Sequence, residues 1–557
     1  MTTANNREAV SSAHPIAYFS AEFGFDARLP IYAGGLGILA GDIMKQAGDE
    51  NFPVVGVGLL YRGDGMKQGL DEEGHQLDLD WHFDPVEAGL EHVYLDGLPL
   101  FVSVHIGDAL IWLRVWKKTF SPAVTLYLLD SETEQNTMAE RTSTHILYSG
   151  SVEYMFKQAM LLGIGGVKVL TSLGIHPSIF HLNEGRPAFL HWQLVRQFMD
   201  LHGLSYDNAC ELAREKTVYT NHTLVGAANL SLSSNLMCHY ASYYAGKMRV
   251  SCDQLLSQGR EDGPDNFNIT RFALNVSHRS NGVSKLHSDL SAEQWPEYHW
   301  CNVTNGVHFP TWQSSTVLAN KDDATALWHS HLDEKRHLAE FVQSTTGFSI
   351  NPDWLFVTWS RRLAGYKRLD ALFADLARFT KILNRSDRPI QLLVSGKAHQ
   401  GDQGGKDKLQ ELIGHFSKEL AGHALFIPNY NLEIAQHLTR GSDLWLNTPE
   451  IGREACGTSG MKALSNGVLQ CTVADGWASE VEWKDVGWTL DSNDISNSVY
   501  TSLETSIAPL YFERDADGLP KRWIEMMQAS IALSEQFSAR QMLTNYRHEL
   551  YQLEGES

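Results

Sequence analysis

The sequence predicts an α/β protein built from two doubly wound domains that face each other across a cleft, with a small β insertion in the first. Three observations carry that prediction. The chain has 557 residues, more than one hydrophobic core organises. Short apolar runs alternate with stretches of helical period in both halves, the pattern of strands and crossover helices in a parallel sheet. In each half one such run leads into a turn suited to an anion: the glycines of Ile31–Asp42 and the cations of Ser360–Asp370.

Composition narrows the class. Hydrophobic residues make up 43% and charged residues 20%, ordinary values for a globular protein. No apolar run reaches the ~18–20 residues of a membrane span, and the N-terminus has no signal-peptide core, so a cytoplasmic location is expected. The formal net charge of −21 argues against non-specific nucleic-acid binding and makes local clusters of positive charge informative. Six cysteines without a CxxC pair indicate neither a zinc site nor a disulfide framework. Fifteen Trp and nineteen Tyr suit a carbohydrate-facing protein, although aromatics are also core material.

Along the chain, residues 1–13 are polar and predict disorder. A domain over 14–311 opens with a buried strand at 14–23, the glycine turn Tyr32-Ala-Gly-Gly-Leu-Gly37 and a helix over Ile38–Asp49. Pro53–Tyr61 reads as a second strand, and alternating segments between about 80 and 130 predict the antiparallel insertion. Helices follow at Met155–Leu173 and Pro187–Leu201, with strands at Ile179–Glu184 and Val218–His222. A second domain over 312–521 has expected strands at 355–359, 390–395, 424–428 and 443–447, with helices at Leu369–Leu383 and Asp407–Leu420 between them. Residues 522–557 read as amphipathic helices that pack back on the body.

Two clusters carry chemistry. Arg361, Arg362, Lys367 and Arg368 fall within eight residues directly after a strand, where they would form a pocket for a dianion. A solvated basic loop would have the same charge count. In Glu454-Ala-Cys-Gly-Thr-Ser-Gly-Met-Lys462, glycines bring backbone N–H groups toward an anion just before one lysine. That lysine could hold a phosphate as a point charge, or form a Schiff base with a carbonyl cofactor whose phosphate occupies the turn.

These segments, in this order from about residue 15 to 553, resemble those of the glycogen/α-glucan phosphorylases, most closely the short prokaryotic form. The wording Glu-Ala-x-Gly-Thr-x-x-Met-Lys-x-x-x-Asn-Gly resembles the family's pyridoxal phosphate lysine motif, so Lys462 would tether pyridoxal 5′-phosphate. Arg-Arg-Leu-Ala-Gly-Tyr-Lys-Arg resembles the segment that grips substrate phosphate. It implies Arg362 and Lys367 on inorganic phosphate, Arg361 near the cofactor phosphate and Tyr366 beside the substrate. The glycine turn implies Gly34, Gly35 and Leu36 near phosphate and sugar, with Gly35 toward the cofactor. His222, in Tyr-Thr-Asn-His-Thr, inherits a catalytic place from its backbone carbonyl, which would face the developing oxocarbenium ion. Asn305 matches a sugar-binding asparagine, and Trp312 and Tyr430 match cofactor contacts. Glu454, Cys456 and Gly457 match glucose contacts, with Gly457 and Thr458 also bordering the cofactor, and no metal is implied.

The resemblance implies a GT-B-like fold of two Rossmann-like domains and a retaining phosphorolysis. An α-1,4-glucan or maltodextrin would give up its terminal glucose to inorganic phosphate as α-D-glucose 1-phosphate. A homodimer is the family's common assembly, and the start of the chain near its first strand leaves no expected N-terminal phosphorylation segment. Three residues depart from the family pattern: Arg186 where a His is usual, Cys456 for Ser and Gln400 for Pro. Other readings fit parts of the chain. A nucleotide-sugar glycosyltransferase shares a glycine turn, a basic pair and a Glu-x-Cys-Gly segment, but needs no imine-forming lysine. A catalytically silent glucan-binding relative would keep the fold, and a glycosidase would need two flanking carboxylates such as Glu184 and Glu454.

Overall fold

The computed structural model describes residues 8–148, 151–224, 230–260, 263 and 265–553. Its frame is two largely parallel β-sheets with helices packed on them. The first, ten-stranded sheet runs in the order Trp300–Asn302, Arg279–Gly282, Thr217–Thr220, Ile179–Asn183, Ile16–Ser20, Val54–Leu59, Val124–Asp130, Ala109–Ser121 and Glu91–His92, with Phe101–Ile106 also pairing Ala109–Ser121. All pairings from Trp300–Asn302 to Val124–Asp130 are parallel. The antiparallel insertion is present as the strands around Ala109–Ser121. Its last strand, Val124–Asp130, returns parallel to Val54–Leu59, so the insertion extends the main sheet.

The second sheet holds six parallel strands in the order Ala424–Ile427, Ile390–Ser395, Leu355–Ser360, Leu444–Asn447, Leu469–Thr472 and Gly487–Thr489. Numbered along the chain that order is 3-2-1-4-5-6. The direction of strand addition reverses at Leu355–Ser360, and loops leaving the two sides of a reversal part to open a crevice. In the first sheet the reversal falls between Ile16–Ser20 and Ile179–Asn183. The central strands Ile16–Ser20, Ile179–Asn183, Leu355–Ser360 and Ile390–Ser395 are buried on both faces, as their largely apolar wording requires.

Several expected boundaries shift. The first helix starts at Gly35, three residues early, because its first turn is made of glycine and leucine N–H groups that need no apolar period. The expected helix 369–383 is interrupted: a tight turn at Leu369–Phe373 ends, and Asp375 caps a new helix, Leu376–Leu383, by accepting from Arg378 N. Cys238 and Cys252 form a disulfide between two neighbouring helices, their Cα atoms 5.7 Å apart. Sequence spacing alone does not reveal that approach. Residues 1–7 of the expected disordered tail lie outside the described residues, and Val10 packs on the first core. No helix among the described residues is long and apolar enough to cross a membrane.

The two sheet bodies are joined by specific contacts. A hairpin of the first half, Lys67–Leu70 with Gln76–Leu79, reaches the segment after Ile390–Ser395. Gln68 Nε2 donates to Gly396 O at 3.0 Å, Gln76 Nε2 to Ala398 O at 2.9 Å, and Ala398 N to Gln76 Oε1 at 3.0 Å. Gln400, one of the three departures, donates to Asp64 O at 3.2 Å, a bond that proline could not make. The C-terminal helices Lys521–Ser534 and Ala539–Asn545 return across both bodies, and Val307 exchanges backbone hydrogen bonds with Phe537 and Ala539.

Candidate active site

The cations of the second sheet sit at its reversal point. Arg361 follows Leu355–Ser360 directly, and Lys367 lies one turn further on; both are 7% exposed. Glu454 meets them: Lys367 Nζ pairs with Glu454 Oε2, and Arg361 Nη1 approaches the same oxygen at 3.4 Å. Burial, then repulsion from Arg361 and Arg362, holds the Lys367 ammonium well below the usual lysine range. Burial brings Arg361 down to about 10. Arg362 is exposed and adds its charge to the same pocket, acting on both Lys367 and His399.

The fourth cation of that cluster is elsewhere. Arg368 takes a left-handed backbone (φ 51°) and turns away, donating to Thr448 O, Ser492 O and Pro449 O. Tyr366 stays, its ring 4.8 Å from Lys367 Nζ. The expectation of a four-cation pocket is therefore corrected to three, because the three carbonyls compete for Arg368.

Glu454 begins the second cluster. Asp475, which the sequence reading missed, accepts from Gly452 N, Glu454 N and Gly476 N, each at 2.9 Å, and shapes the turn ahead of Lys462. Gly457 has φ 84°, and a Cβ there would lie 2.9 Å from Glu454 Cγ, so backbone and space both require glycine. Thr458 then starts the short helix Ser459–Leu464 without a side-chain cap. Lys462 on this helix is 5% exposed, and its Nζ rests 3.8 Å from the centroid of the Trp312 ring. Burial brings its pKa down to about 8. Asn466 Nδ2 donates to both Lys462 O and Trp312 O, locking the two backbones together.

Trp312, Tyr430, Cys456, Met461 and Tyr32 share one apolar cluster between the larger cores of the two sheets. The Cys456 thiol is buried in this cluster, and burial pushes its pKa up. Asn305 is buried nearby, held by its N–H on Val283 O at 3.0 Å, and its Oδ1 has no hydrogen-bond partner among the described residues. Ser284 Oγ donates to Ala455 O at 2.6 Å, tying the first sheet's edge to the Glu454 turn.

At the reversal of the first sheet two carboxylates face the same region. Glu22 Oε2 accepts from Ala33 N at 2.7 Å and Gly34 N at 3.2 Å, so two N–H groups of the glycine turn already have an internal acceptor. A Cβ at Gly34 or Gly35 would meet nothing within 4 Å, whereas one at Gly37 would lie 2.7 Å from Glu22 Oε2. The first two glycines, with partly exposed Leu36, therefore border open space. Tyr148 donates its hydroxyl to Glu22, and Arg186 stacks on the Tyr148 ring at 4.4 Å. That is where the Arg186 departure is accommodated. Glu184, at φ 72°, accepts from His222 N at 2.9 Å and from Tyr219 OH at 3.1 Å, and burial raises its pKa to about 7. His222 Nε2 donates to Asn183 Oδ1 at 2.6 Å, and burial keeps the ring neutral with a pKa of about 3.

The structure thus brings Arg361, Arg362, Lys367, Tyr366 and Glu454 to one reversal point, and joins Lys462, Trp312, Tyr430 and Cys456 through one apolar cluster. It places Glu22, Glu184 and His222 at the other reversal. Sequence reading missed Glu22, Asp475 and Asp42. Asp42 could have been found as a lone carboxylate within the apolar period of Ile38, Leu39, Ile43 and Met44.

Known proteins match this chain over most of its length. The family model described as carbohydrate phosphorylase matches residues 141–322 and 315–488. The glycogen phosphorylase of Aquifex aeolicus is 33% identical over 96% of this chain and 86% of its own length. The maltodextrin phosphorylase of Thermococcus litoralis is 33% identical over 96% of this chain and 70% of its own. The glycogen phosphorylase of Mycobacterium tuberculosis is 34% identical with the same two coverages.

Proposed function

The chain belongs to the carbohydrate phosphorylase family, and from that membership we propose that it is a pyridoxal phosphate-dependent α-glucan phosphorylase, a hexosyltransferase that releases α-D-glucose 1-phosphate from the ends of α-1,4-glucans or maltodextrins. On this reading the two sheet bodies are the Rossmann-like halves of a GT-B-like fold, divided near residue 312, with the substrate in the crevice between them. A cytoplasmic location is part of the same proposal.

The observation that carries the reading is Lys462: a buried amine on an aromatic face, beside a glycine turn and one cluster away from three cations. The donor set fits pyridoxal phosphate. Lys462 would hold its aldehyde, Trp312 and Tyr430 would flank it, and Gly457, Thr458 and Arg361 would meet its phosphate. Asn305 Oδ1, buried without a partner, and the open space at Gly34 and Gly35 leave polar atoms and room for sugar and phosphate. When bound, the cofactor supplies a phosphate monoester with a second pKa near ~6, able to give or take a proton near neutrality.

The chain's own residues do the rest. Arg362 and Lys367 bind inorganic phosphate, offsetting the repulsion that two phosphates would otherwise feel. Glu454, released from Lys367 when phosphate arrives, is free to accept from glucose hydroxyls. Glu184 fixes the His222 N–H and Asn221 Oδ1 accepts from Thr223 N at 3.4 Å, so the peptide units on both sides of His222 are held and its backbone carbonyl can serve the sugar ring where positive charge develops. Phosphate oxygen then bonds to the anomeric carbon as the C1–O4 bond breaks, and a phosphate proton passes to O4 of the shortened glucan.

The test is release of glucose 1-phosphate from a maltodextrin, strictly dependent on inorganic phosphate. Borohydride reduction of the cofactor-loaded protein, followed by peptide mapping, should mark Lys462. A protein that takes up no pyridoxal phosphate, yet transfers glucose from UDP- or ADP-glucose, would overturn the reading.

A further inference from the structure

The helix Gly35–Asp49 carries a buried carboxylate that no step above uses. Asp42 is 1% exposed, and its Oδ2 accepts from Trp312 Nε1 at 2.8 Å and from His308 N at 3.2 Å. Its Oδ1 is buried with no hydrogen-bond partner among the described residues. The indole that Asp42 grips by its edge is the one whose face supports Lys462 Nζ. Burial pushes both Asp42 and Lys462 toward their neutral forms, and the attraction between the two is the largest influence opposing it on each.

The surroundings leave Asp42 a defined task. Around the pair, the charged and titratable groups are Lys45, Asp49 and Asp26 on the first-sheet side and His308 on the connecting segment. Lys45 Nζ donates to Thr311 Oγ1 at 3.0 Å, and His308 Nε2 meets Asp49 at 2.9 Å, so both already have partners. The Trp312 backbone is held from the other side by Asn466 and Arg440. Oδ2 is taken by the edge of the ring, Oδ1 has no hydrogen-bond partner among the described residues, and Lys462 Nζ lies on the face of the same ring. A buried ammonium without a counter-charge sheds its proton more readily, and a buried carboxylate oxygen without a partner is costly, so each group answers the other's deficit.

Resting on the proposed cofactor attachment at Lys462, we propose that Asp42 is a positioning residue for that lysine: it fixes the Trp312 indole beneath the amine by its edge, and its negative charge acts on the ammonium across the ring. Asp42→Asn keeps an acceptor for the indole while removing the charge. Lys45→Met removes the neighbouring positive charge and has the opposite electrostatic sign.

The experiment is competitive acetic anhydride labelling of the cofactor-free protein over about pH 6–10, read at the Lys462 peptide by mass spectrometry. In Asp42→Asn the labelling midpoint should fall by about one pH unit, close to tenfold more free amine below the midpoint. In Lys45→Met it should rise. A folded Asp42→Asn protein with the wild-type midpoint overturns the proposal, as it would if Asp42 only braced Trp312. Should Asp42→Asn not fold, Asp42→Ser decides, and an unchanged or raised midpoint overturns it. Failure of wild-type protein to trap pyridoxal phosphate at Lys462 would count against the cofactor reading alone, since this midpoint is measured without cofactor.

Discussion

Lys367 and Glu454 form an ion pair inside the protein, their side chains only 9% and 14% exposed, and Arg361 approaches the same carboxylate at 3.4 Å. Glu454 is thus the carboxylate that pairs directly with these cations, while Asp475 acts on both of them from the adjoining turn. Glu454→Gln leaves Lys367 and Arg361 without that direct partner, and breaking a buried pair in this way costs about 3 kcal/mol. Inorganic phosphate near 100 times its dissociation constant for the variant should recover about 2–3 kcal/mol there, and the same concentration should stabilise the wild type less, because Glu454 already holds Lys367. Thermal melting of both proteins with and without phosphate checks this. Equal phosphate shifts would separate Glu454 from the anion site.

Arg362 and Arg368 are close in sequence but differ in task, and two alanine substitutions should separate them. Arg362 is exposed, so Arg362→Ala should change stability by no more than about 0.5 kcal/mol. It should nevertheless lower kcat/KM for phosphate by about 10²–10³. Arg368→Ala removes the donors to Thr448, Pro449 and Ser492 and should cost about 2–4 kcal/mol of stability. Melting curves and phosphate kinetics on the same preparations give both readouts.

Glu184 makes stability pH-dependent in a direction opposite to most carboxylates. Its folded pKa of about 7 lies above the ~4.3 of an unfolded glutamate. The folded form therefore keeps its proton when the unfolded chain has lost it. The contribution of this group is fully present below about pH 4.3 and is lost as pH rises toward 7. Glu184→Gln removes that dependence, so the variant should gain on the wild type by about 3 kcal/mol between pH 4.5 and 7.5. Melting temperatures across that range at fixed ionic strength test it, and parallel curves would contradict it.

Gln76 ties the two sheet bodies together through both hydrogen-bonding groups of Ala398. Gln76→Ala leaves the Ala398 N–H and C=O without those partners and should cost about 2–4 kcal/mol. Gln400→Pro removes only a side-chain bond to Asp64 O, so about 1 kcal/mol is expected. Urea unfolding of the two variants should rank them in that order.

Much of the site was legible in the residues because backbone chemistry demands them locally. A turn at φ 84° selects Gly457, and apolar runs buried on both faces mark Leu355–Ser360 and Ile390–Ser395. Arg361, Arg362 and Lys367 stood out because four cations in eight residues are conspicuous in an acidic chain. Arg368 was misassigned for the same reason: charge density says nothing about which carbonyls lie within reach. Glu22, Asp42 and Asp475 escaped notice because each acts on residues distant in sequence or across a turn, at Gly34, Trp312 and Glu454.

The division between the two levels follows the range of the forces involved. Strand and helix wording, the glycine turns and the order of the motifs depend on neighbours within a few residues, and the sequence by itself determined them along with the family. Tertiary structure alone decided which charges meet. It put Lys367 on Glu454, Asp42 on the edge of Trp312 and Cys238 beside Cys252. It also set the reversal of strand order that gathers the cations at one crevice. Ionic and hydrogen-bonded partners are chosen by distance and desolvation in the folded interior, and neither quantity exists until the two sheets have packed.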